Sequence, residues 1–123
     1  MATYLDTNYL VRFLTKDIKV QAETAKKIIE NDKIYIANIV LAEVVYILET
    51  HYKANKKELC NVLISLIKQP NVSTSSFVPL SLNIYKNERV SFYDSLLLAE
   101  VLNSKSQLKS FDKKLLKTHS KYK

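Results

Sequence analysis

The stretch ATYLDTNYLVRFL, residues 2–14, decides the fold class of this chain. Residues 2–5 predict a short strand that ends at Asp6, and apolar residues at helical spacing predict a helix over Asn8–Lys16. The β-branched and aromatic run Lys33–Ala37 predicts a second strand, again with a helix after it. Strands that alternate with helices in this way favour βα units and a parallel sheet with helices on both faces.

The rest of the chain continues this alternation. The remaining helices are predicted over residues 20–31, Ile39 to about Tyr52, about Lys56–Gln69, about Leu80–Asn87 and about Phe92–Asn103. Asn38 and Asn55 would cap the second and third of these helices, Pro70 would close the third, and Pro79 suits the first turn of the fourth. The remaining strands are predicted over Val72–Ser75 and Gln107–Phe111, and a lysine-rich helix or tail is predicted at the C-terminus. No repeat, low-complexity segment or Pro/Ser-rich linker interrupts the pattern. We therefore expect a single domain over residues 1–123, with an α/β fold and a short, mainly parallel central sheet.

Glycine is absent from the whole sequence. Its absence excludes the glycine-rich phosphate loops of P-loop and dinucleotide-binding proteins, and with them the usual nucleotide-cofactor enzymes. Another residue type must then supply the left-handed backbone positions that end helices, and asparagine is the next best for that conformation. We expect it at the plausible breaks Asn31, Asn55, Asn71, Asn87 and Asn103.

Composition limits the partners and the compartment. The chain carries 19 basic and 12 acidic residues, a net charge of +7, which suits a phosphate-bearing partner, although an ordinary solvated lysine-rich face explains it equally well. Cys60 is the only cysteine, so no intrachain disulfide can form, and its apolar helical surroundings favour a buried thiol over a nucleophile. No apolar run approaches the ~20 residues that span a bilayer, and the N-terminus lacks a signal-peptide pattern. We therefore expect a cytoplasmic protein without membrane contact.

Three aspartates lie where a ligand crevice would need them, although each has an ordinary structural alternative. Asp6 and Asp112 follow predicted strands, whose carboxyl ends form the ligand crevice of a parallel sheet. Either aspartate could instead cap the helix that follows it. Asp94 lies three residues after Ser91, so a capping box with Ser91 as the cap is its alternative.

Glu43 is the acidic residue that structural roles explain worst. Its neighbours on the same face of the predicted helix are Ile39, Val40 and Ile47. A glutamate in an apolar stripe is costly to bury unless it is paired or bound to a cation. The alternative to a site role is a buried salt bridge to a lysine or arginine.

Together, the four carboxylates suggest one physical interpretation, in which side chains from separate elements converge at one crevice. Four unscreened negative charges repel one another strongly, and a divalent cation relieves that repulsion. Mg²⁺ prefers oxygen ligands and usually keeps several waters. The two histidines are too few and too peripheral for a histidine-based site.

With these residues, the chain resembles the PIN-domain ribonucleases, in particular the VapC-type toxins of bacterial and archaeal toxin–antitoxin pairs. The matching motifs are YLDTN (residues 4–8), LAEVV (41–45), FYDSLL (92–97) and SFD (110–112). The order Asp–Glu–Asp–Asp, at spacings of 37, 51 and 18 residues, fits the acidic quartet of that family. The likeness covers nearly the whole chain, although the family usually has glycines near the later motifs and this sequence has none.

The resemblance implies a three-layer α/β/α PIN-like fold, dependence on Mg²⁺ or Mn²⁺, and endonucleolytic cleavage of RNA. It also implies a homodimer that a cognate VapB-type antitoxin silences. The acidic quartet would form the catalytic metal site, with Asp6, Glu43 and Asp94 as ligands and Asp112 as a ligand or a supporting acid. The other expected contributors are Thr7, Asn8 and Ser110, which would orient ligands or substrate, and Arg12, Arg89, Lys113 and Lys114, which are candidates for contacts with RNA phosphates.

Three alternatives stay open from the sequence alone. A signalling receiver domain also clusters carboxylates and Mg²⁺ at strand ends, but it gives Glu43 no role. A PIN-like module could keep the fold as a scaffold that binds nucleic acid or protein, although the intact quartet argues against that. A DNA-directed nuclease is the third alternative, because the residues do not distinguish DNA from RNA.

Overall fold

The structure is a computed structural model that describes all residues, 1–123. It has three short parallel strands and seven helices, in the order β1 (Thr3–Tyr4), α1 (Thr7–Thr15), α2 (Lys19–Asn31), β2 (Ile34–Tyr35), α3 (Asn38–Thr50), α4 (Lys56–Ile67), β3 (Val72–Ser73), α5 (Val78–Asn87), α6 (Phe92–Ser104) and α7 (Lys113–Tyr122). The chain divides into two compact units, Met1–Ser75 and Ser76–Lys123. The predicted α/β class and the short parallel sheet are confirmed. None of the seven helices has both the length and the apolar character that crossing a membrane requires.

The first unit is built on a parallel sheet with the strand order β1-β2-β3. Thr3 pairs with Ile34, which in turn pairs with Val72, so the three strands lie in register. Two helices connect each strand to the next, since parallel neighbours need a long crossover connection. Asn71 fixes the start of β3, because its side-chain amide donates to the backbone carbonyl of Asp32, 2.8 Å away and shortly before β2.

Helices with one apolar face surround this sheet. α1 packs against α2 and α3, and α4 packs against α3 and β3. Cys60 is buried in α4, which agrees with the predicted structural role of its thiol. The largest fully buried side chains of this unit are Leu10, Val11, Ile34, Ile36, Leu41, Val44 and Leu63.

The second unit consists of three helices, with α6 packed against both α5 and α7. Its core contains Ile84, Leu98, Ala99 and Leu115. Pro79 lies in the first turn of α5, as predicted. Glu88 accepts hydrogen bonds from Tyr122 Oη at 2.7 Å and Lys121 Nζ at 2.8 Å, and these bonds fasten the end of α7 to the end of α5.

The predicted strand over Gln107–Phe111 is wrong, because these residues belong to no sheet. Their side chains do alternate between exposed and partly buried, and Leu108 packs against the core of the second unit. Alternation of exposed and partly buried side chains indicates only that one side of an extended segment packs against the protein. A strand also needs a hydrogen-bonded neighbour, and this segment pairs with none.

Lysines, and not asparagines, occupy the left-handed positions. Lys16, Lys53 and Lys105 are the residues with positive φ, at 58°, 52° and 55°. Lys16 and Lys105 end α1 and α6, where their backbone N–H groups donate to carbonyls of the last turn. The prediction is therefore wrong for all five asparagines: Asn31, Asn55, Asn71, Asn87 and Asn103.

Apart from the two aspartates described below, the predicted helix caps are correct at two of three sites. The side chain of Asn55 accepts from Glu58 N at 3.1 Å, and that of Ser91 accepts from Asp94 N at 3.0 Å. The cap of α3 is instead Ala37, which has no side-chain acceptor. Asn38 is the first helical residue, and its Oδ1 is enclosed without a hydrogen-bond partner, so the prediction of Asn38 as the cap is wrong.

Candidate acidic site

Asp6 lies at the carboxyl end of β1 and caps α1. Its Oδ1 accepts a hydrogen bond from Tyr9 N at 2.9 Å, while the side chain remains exposed. The capping alternative for Asp6 is therefore confirmed. Capping does not exclude a site role, because the second carboxylate oxygen has no partner within the chain.

Two pockets open beside Asp6. One, of about 320 Å³, is also lined by two other predicted site residues, Asn8 and Arg12. The other, of about 450 Å³, extends along β1 to Asp32, whose carboxylate accepts from Thr3 Oγ1 at 3.4 Å. Asp32 was not among the residues predicted from the sequence. It follows the end of α2, and no local sequence pattern indicates that this end lies beside β1. Thr7, the remaining predicted residue of this region, is partly buried in the first turn of α1.

Arg12 is engaged within the first unit. Its Nε donates to Gln21 Oε1 at 3.0 Å, and its Nη1 lies 3.6 Å from Asp17 Oδ1. Tyr52 Oη donates to the other oxygen of Asp17 at 2.6 Å, and this hydrogen bond is the main reason that the pKa of Asp17 is lowered. The Arg12 side chain is only 26% exposed, so contact with an RNA phosphate would have to compete with these partners.

Glu43 is exposed in the middle of α3, and so are its neighbours Ile39, at 65%, and Tyr46, at 54%. Val40 and Ile47 are partly buried, so the expectation of a buried apolar stripe around Glu43 is wrong for Glu43 itself and for Ile39. The buried face of α3 is carried by other positions, including Leu41 and Val45. The buried salt bridge considered as the alternative is absent as well, because the Glu43 carboxylate makes neither an ion pair nor a hydrogen bond within the chain.

Asp94 lies in the first turn of α6, and its backbone N–H is the group that the Ser91 hydroxyl caps. Of the two hydrogen bonds of a capping box, the one from the Asp94 backbone N–H to the Ser91 hydroxyl is thus present. The partly buried Asp94 carboxylate has no hydrogen bond or ion pair within the chain. Its own side chain is therefore not used by the cap.

Asp112 caps α7, since its Oδ1 accepts from Lys114 N at 3.0 Å and from Leu115 N at 3.1 Å. The Ser110 hydroxyl accepts from Asp112 N at 2.9 Å. The sequence predicts that Ser110 shares a strand face with Asp112. Because no strand forms here and the backbone bends at Phe111, the serine reaches the backbone of Asp112 and helps to fix its position.

The predicted phosphate-binding residues of the second unit lie close together. Arg89 and Lys114 line a pocket of about 500 Å³, and Lys117 and Lys121, which sequence reasoning did not select, line the same pocket. The spacing of these lysines along α7 was a usable signal, because residues three and four apart share a helix face. Lys113 is exposed at the first position of α7.

The donors of the quartet suit a divalent cation in their chemistry. All are carboxylate oxygens, which hard cations such as Mg²⁺ prefer, and each carboxylate keeps at least one oxygen without a partner in the chain. Asp6 and Glu43 belong to the first unit, and Asp94 and Asp112 to the second. The structure contains no group of three or more His, Cys, Asp or Glu side chains arranged to hold a metal ion.

The parallel sheet, with helices between its strands, places the chain among the α/β proteins. Within that class, the family model of the PIN domain matches residues 3–121, so the chain belongs to the PIN-domain family. PIN domains are generally nucleases that bind nucleic acid and use divalent metal ions, so membership supports a nuclease-type function. Membership in the PIN-domain family also excludes the alternative that the chain is a signalling receiver domain. Neither the curated proteins nor the solved structures compared with the chain gave a match.

Proposed function

We propose that the protein is a divalent-metal-dependent endoribonuclease, the VapC-type toxin of a type II toxin–antitoxin pair, and that it acts on RNA in the cytoplasm. One observation carries the proposal. Four carboxylates in the order Asp–Glu–Asp–Asp lie within the match to the PIN-domain family, and each has an oxygen that the fold does not use. The family resemblance of the sequence also supports a homodimer and a cognate VapB-type antitoxin as partners.

In this proposal Asp6, Glu43 and Asp94 hold Mg²⁺ or Mn²⁺, and Asp112 serves as a ligand or a supporting acid. The bound cation supplies a water of lowered pKa and stabilises negative charge on the scissile phosphate. The chain itself contributes orientation, because the backbone N–H groups of α1 and α7 hold one oxygen each of Asp6 and Asp112. Ser110 adds to this by fixing the Asp112 backbone. Groups that hold ligands in place matter for activity almost as much as the ligands.

The test is cleavage of a single-stranded RNA by the purified full chain in the presence of Mg²⁺. We expect EDTA to stop cleavage and Mg²⁺ or Mn²⁺ to restore it. Asp6→Asn and Asp94→Asn should each lower the rate by at least about 100-fold. Asparagine is as good a cap as aspartate, so the loss in Asp6→Asn reports on charge and not on helix stability.

The matched control is Glu49→Gln, which changes another exposed glutamate of α3 that lies outside the quartet. It should cleave at the rate of the unaltered chain. Full activity in both aspartate variants contradicts the site assignment. RNA binding without cleavage under either ion would instead indicate a PIN-like scaffold, and equal cleavage of a DNA of the same sequence would contradict RNA specificity.

A further inference from the structure

Phe111 is fully exposed, at 107%, between Ser110 and Asp112. The backbone around it is well fixed, because Ser110 Oγ accepts from Asp112 N and Asp112 Oδ1 accepts from Lys114 N and Leu115 N. A phenyl ring left wholly in water contributes none of the free energy that burial of an aromatic side chain provides. The structure therefore holds an aromatic ring at a defined place where it does nothing for folding.

Phe111 belongs to a strongly basic unit of the chain, and the acidic residue that adjoins it is Asp112. Residues 76–123 hold nine lysines and arginines and four acidic residues, a net charge of +5, whereas residues 1–75 hold ten and eight, a net charge of +2. The exposed lysines nearest to Phe111 in the chain are Lys109, Lys113 and Lys114. Lys114 also lines the basic pocket that includes Arg89 and Lys117. The ring and the cationic pocket are thus joined by the first turn of α7.

We propose that Phe111 stacks on a base of single-stranded RNA while Arg89, Lys114 and Lys117 contact the phosphates beside that base. The inference rests on the proposed function only in taking RNA as the polymer bound. Proteins that bind single strands combine aromatic rings, on which bases stack, with a basic groove that follows the backbone. The second unit has both features, an exposed aromatic ring and a basic pocket.

A protein partner fits this surface less well. An apolar protein interface needs a continuous patch, commonly of several hundred Å². Phe111 has no exposed apolar neighbour in the adjoining chain, since Leu108 and Leu116 are partly buried and Leu115 is buried. A single ring among lysines offers one stacking face, which is what a nucleobase requires.

The first experiment measures binding of the full chain to a fluorescently labelled single-stranded RNA of mixed sequence, about 12 nucleotides long, in EDTA so that cleavage does not interfere. Phe111→Ala should weaken binding roughly tenfold. Its thermal unfolding should be unchanged, because the ring makes no contact that stabilises the fold. Val62→Ala is the control, since Val62 is an exposed apolar side chain of α4, a helix that carries no residue of the proposed site, and it should bind like the unaltered chain.

Salt dependence separates stacking from charge. The double variant Lys114→Ala/Lys117→Ala should weaken binding and reduce the slope of log affinity against log salt by about 0.7 for each phosphate that these lysines no longer neutralise. Phe111→Ala should weaken binding without changing that slope. The reverse pattern would overturn the assignment of roles.

A second variant observes stacking directly. The chain has no tryptophan, so Phe111→Trp introduces a single indole at the position in question. Its fluorescence should be quenched by the same RNA and not by inorganic polyphosphate, which carries the charge without the bases. Unchanged fluorescence with RNA, or full RNA affinity in Phe111→Ala, would overturn the inference.

Two further outcomes distinguish RNA stacking by Phe111 from a protein contact and from the proposed catalysis. If Phe111→Ala keeps its RNA affinity but loses self-association in sedimentation, Phe111 is a protein contact and the inference fails. If RNA binding depends on Phe111 but the chain cuts no RNA with either divalent cation, the proposed catalysis fails and the stacking assignment stands.

Discussion

The two units of the chain hold the four quartet residues in the same two ways. In each unit one quartet aspartate caps a helix, Asp6 in the first and Asp112 in the second, and one quartet carboxylate has no partner, Glu43 in the first and Asp94 in the second. The surroundings differ, because the first unit carries the sheet and is nearly neutral, whereas the second is helical and strongly basic. Within the quartet, the comparison separates carboxylates that folding uses as helix caps from carboxylates that folding does not use.

The largest effect on stability should distinguish the two kinds of carboxylate. Asp6→Ala and Asp112→Ala should each lower the free energy of unfolding by about 1 kcal/mol, because each removes an N-cap. Glu43→Ala and Asp94→Ala should change it by less than about 0.5 kcal/mol, because neither carboxylate has an internal partner. Urea unfolding at constant m-value measures all four. The asparagine variants of the caps serve as controls and should unfold like the unaltered chain, whereas a Glu43→Ala loss as large as that of a cap would break the comparison.

A smaller effect tests a feature that both units share, the left-handed lysine at a helix end. Lys16→Gly and Lys105→Gly should each raise the free energy of unfolding by about 0.5 kcal/mol, since glycine adopts positive φ without a steric penalty. Lys27→Gly, in the interior of α2, is the control and should lower it by about 1 kcal/mol. Thermal and urea unfolding measure the three variants side by side. A loss of stability at Lys16 or Lys105 would mean that the lysine side chain outweighs the cost of its backbone conformation.

The smallest effect concerns the two tyrosine–carboxylate hydrogen bonds, one in each unit. Tyr52 donates to Asp17, and Tyr122 donates to Glu88. The first lowers the pKa of Asp17 below its ordinary value of 3.8, so its stabilisation is present above that pH and is lost as the pH falls through the lowered pKa. Burial, and then the bond to Glu88, raise the pKa of Tyr122 from 10.0 to about 12, so its stabilisation is complete below about pH 10 and is lost as the pH rises towards 12.

Melting temperature as a function of pH checks both directions. Tyr52→Phe should flatten the acid limb of the profile and leave the alkaline limb unchanged. Tyr122→Phe should flatten the alkaline limb. An alkaline limb that changes in Tyr52→Phe, or that stays unchanged in Tyr122→Phe, would contradict the assignment of the alkali-sensitive contact to Tyr122.

The parts of the fold that were predictable are those that local patterns determine. The order of the helices and of the first three strands follows from apolar periodicity, and the caps at Asn55 and Ser91 follow from side chains that reach their own helix. Cys60 was correctly expected to be buried for the same reason, since its neighbours set the buried face of α4. In the site, the capping roles of Asp6 and Asp112 were equally open to local reasoning.

The parts that failed depend on neighbours distant in the chain. The alternation over 107–111 could not reveal that no strand pairs with it. The apolar stripe around Glu43 could not reveal which face of α3 is covered, because that depends on where other elements pack. The convergence of the four carboxylates stays a prediction, and it depends on tertiary structure in the same way, since residues 37 and 51 positions apart meet or do not meet through tertiary structure alone.

The left-handed lysines have a consequence for how the chain can be cut. Trypsin cleaves after lysine, and Lys16, Lys53 and Lys105 present that side chain, exposed, where α1, α3 and α6 have ended. Exposed connections between helices are the places where a folded chain is most readily cleaved. Lys16 and Lys105 are the C-caps of α1 and α6, and Lys53 lies in the connection that follows α3. The residues that turn the chain at these three places are therefore also residues at which limited digestion would divide it between its helices.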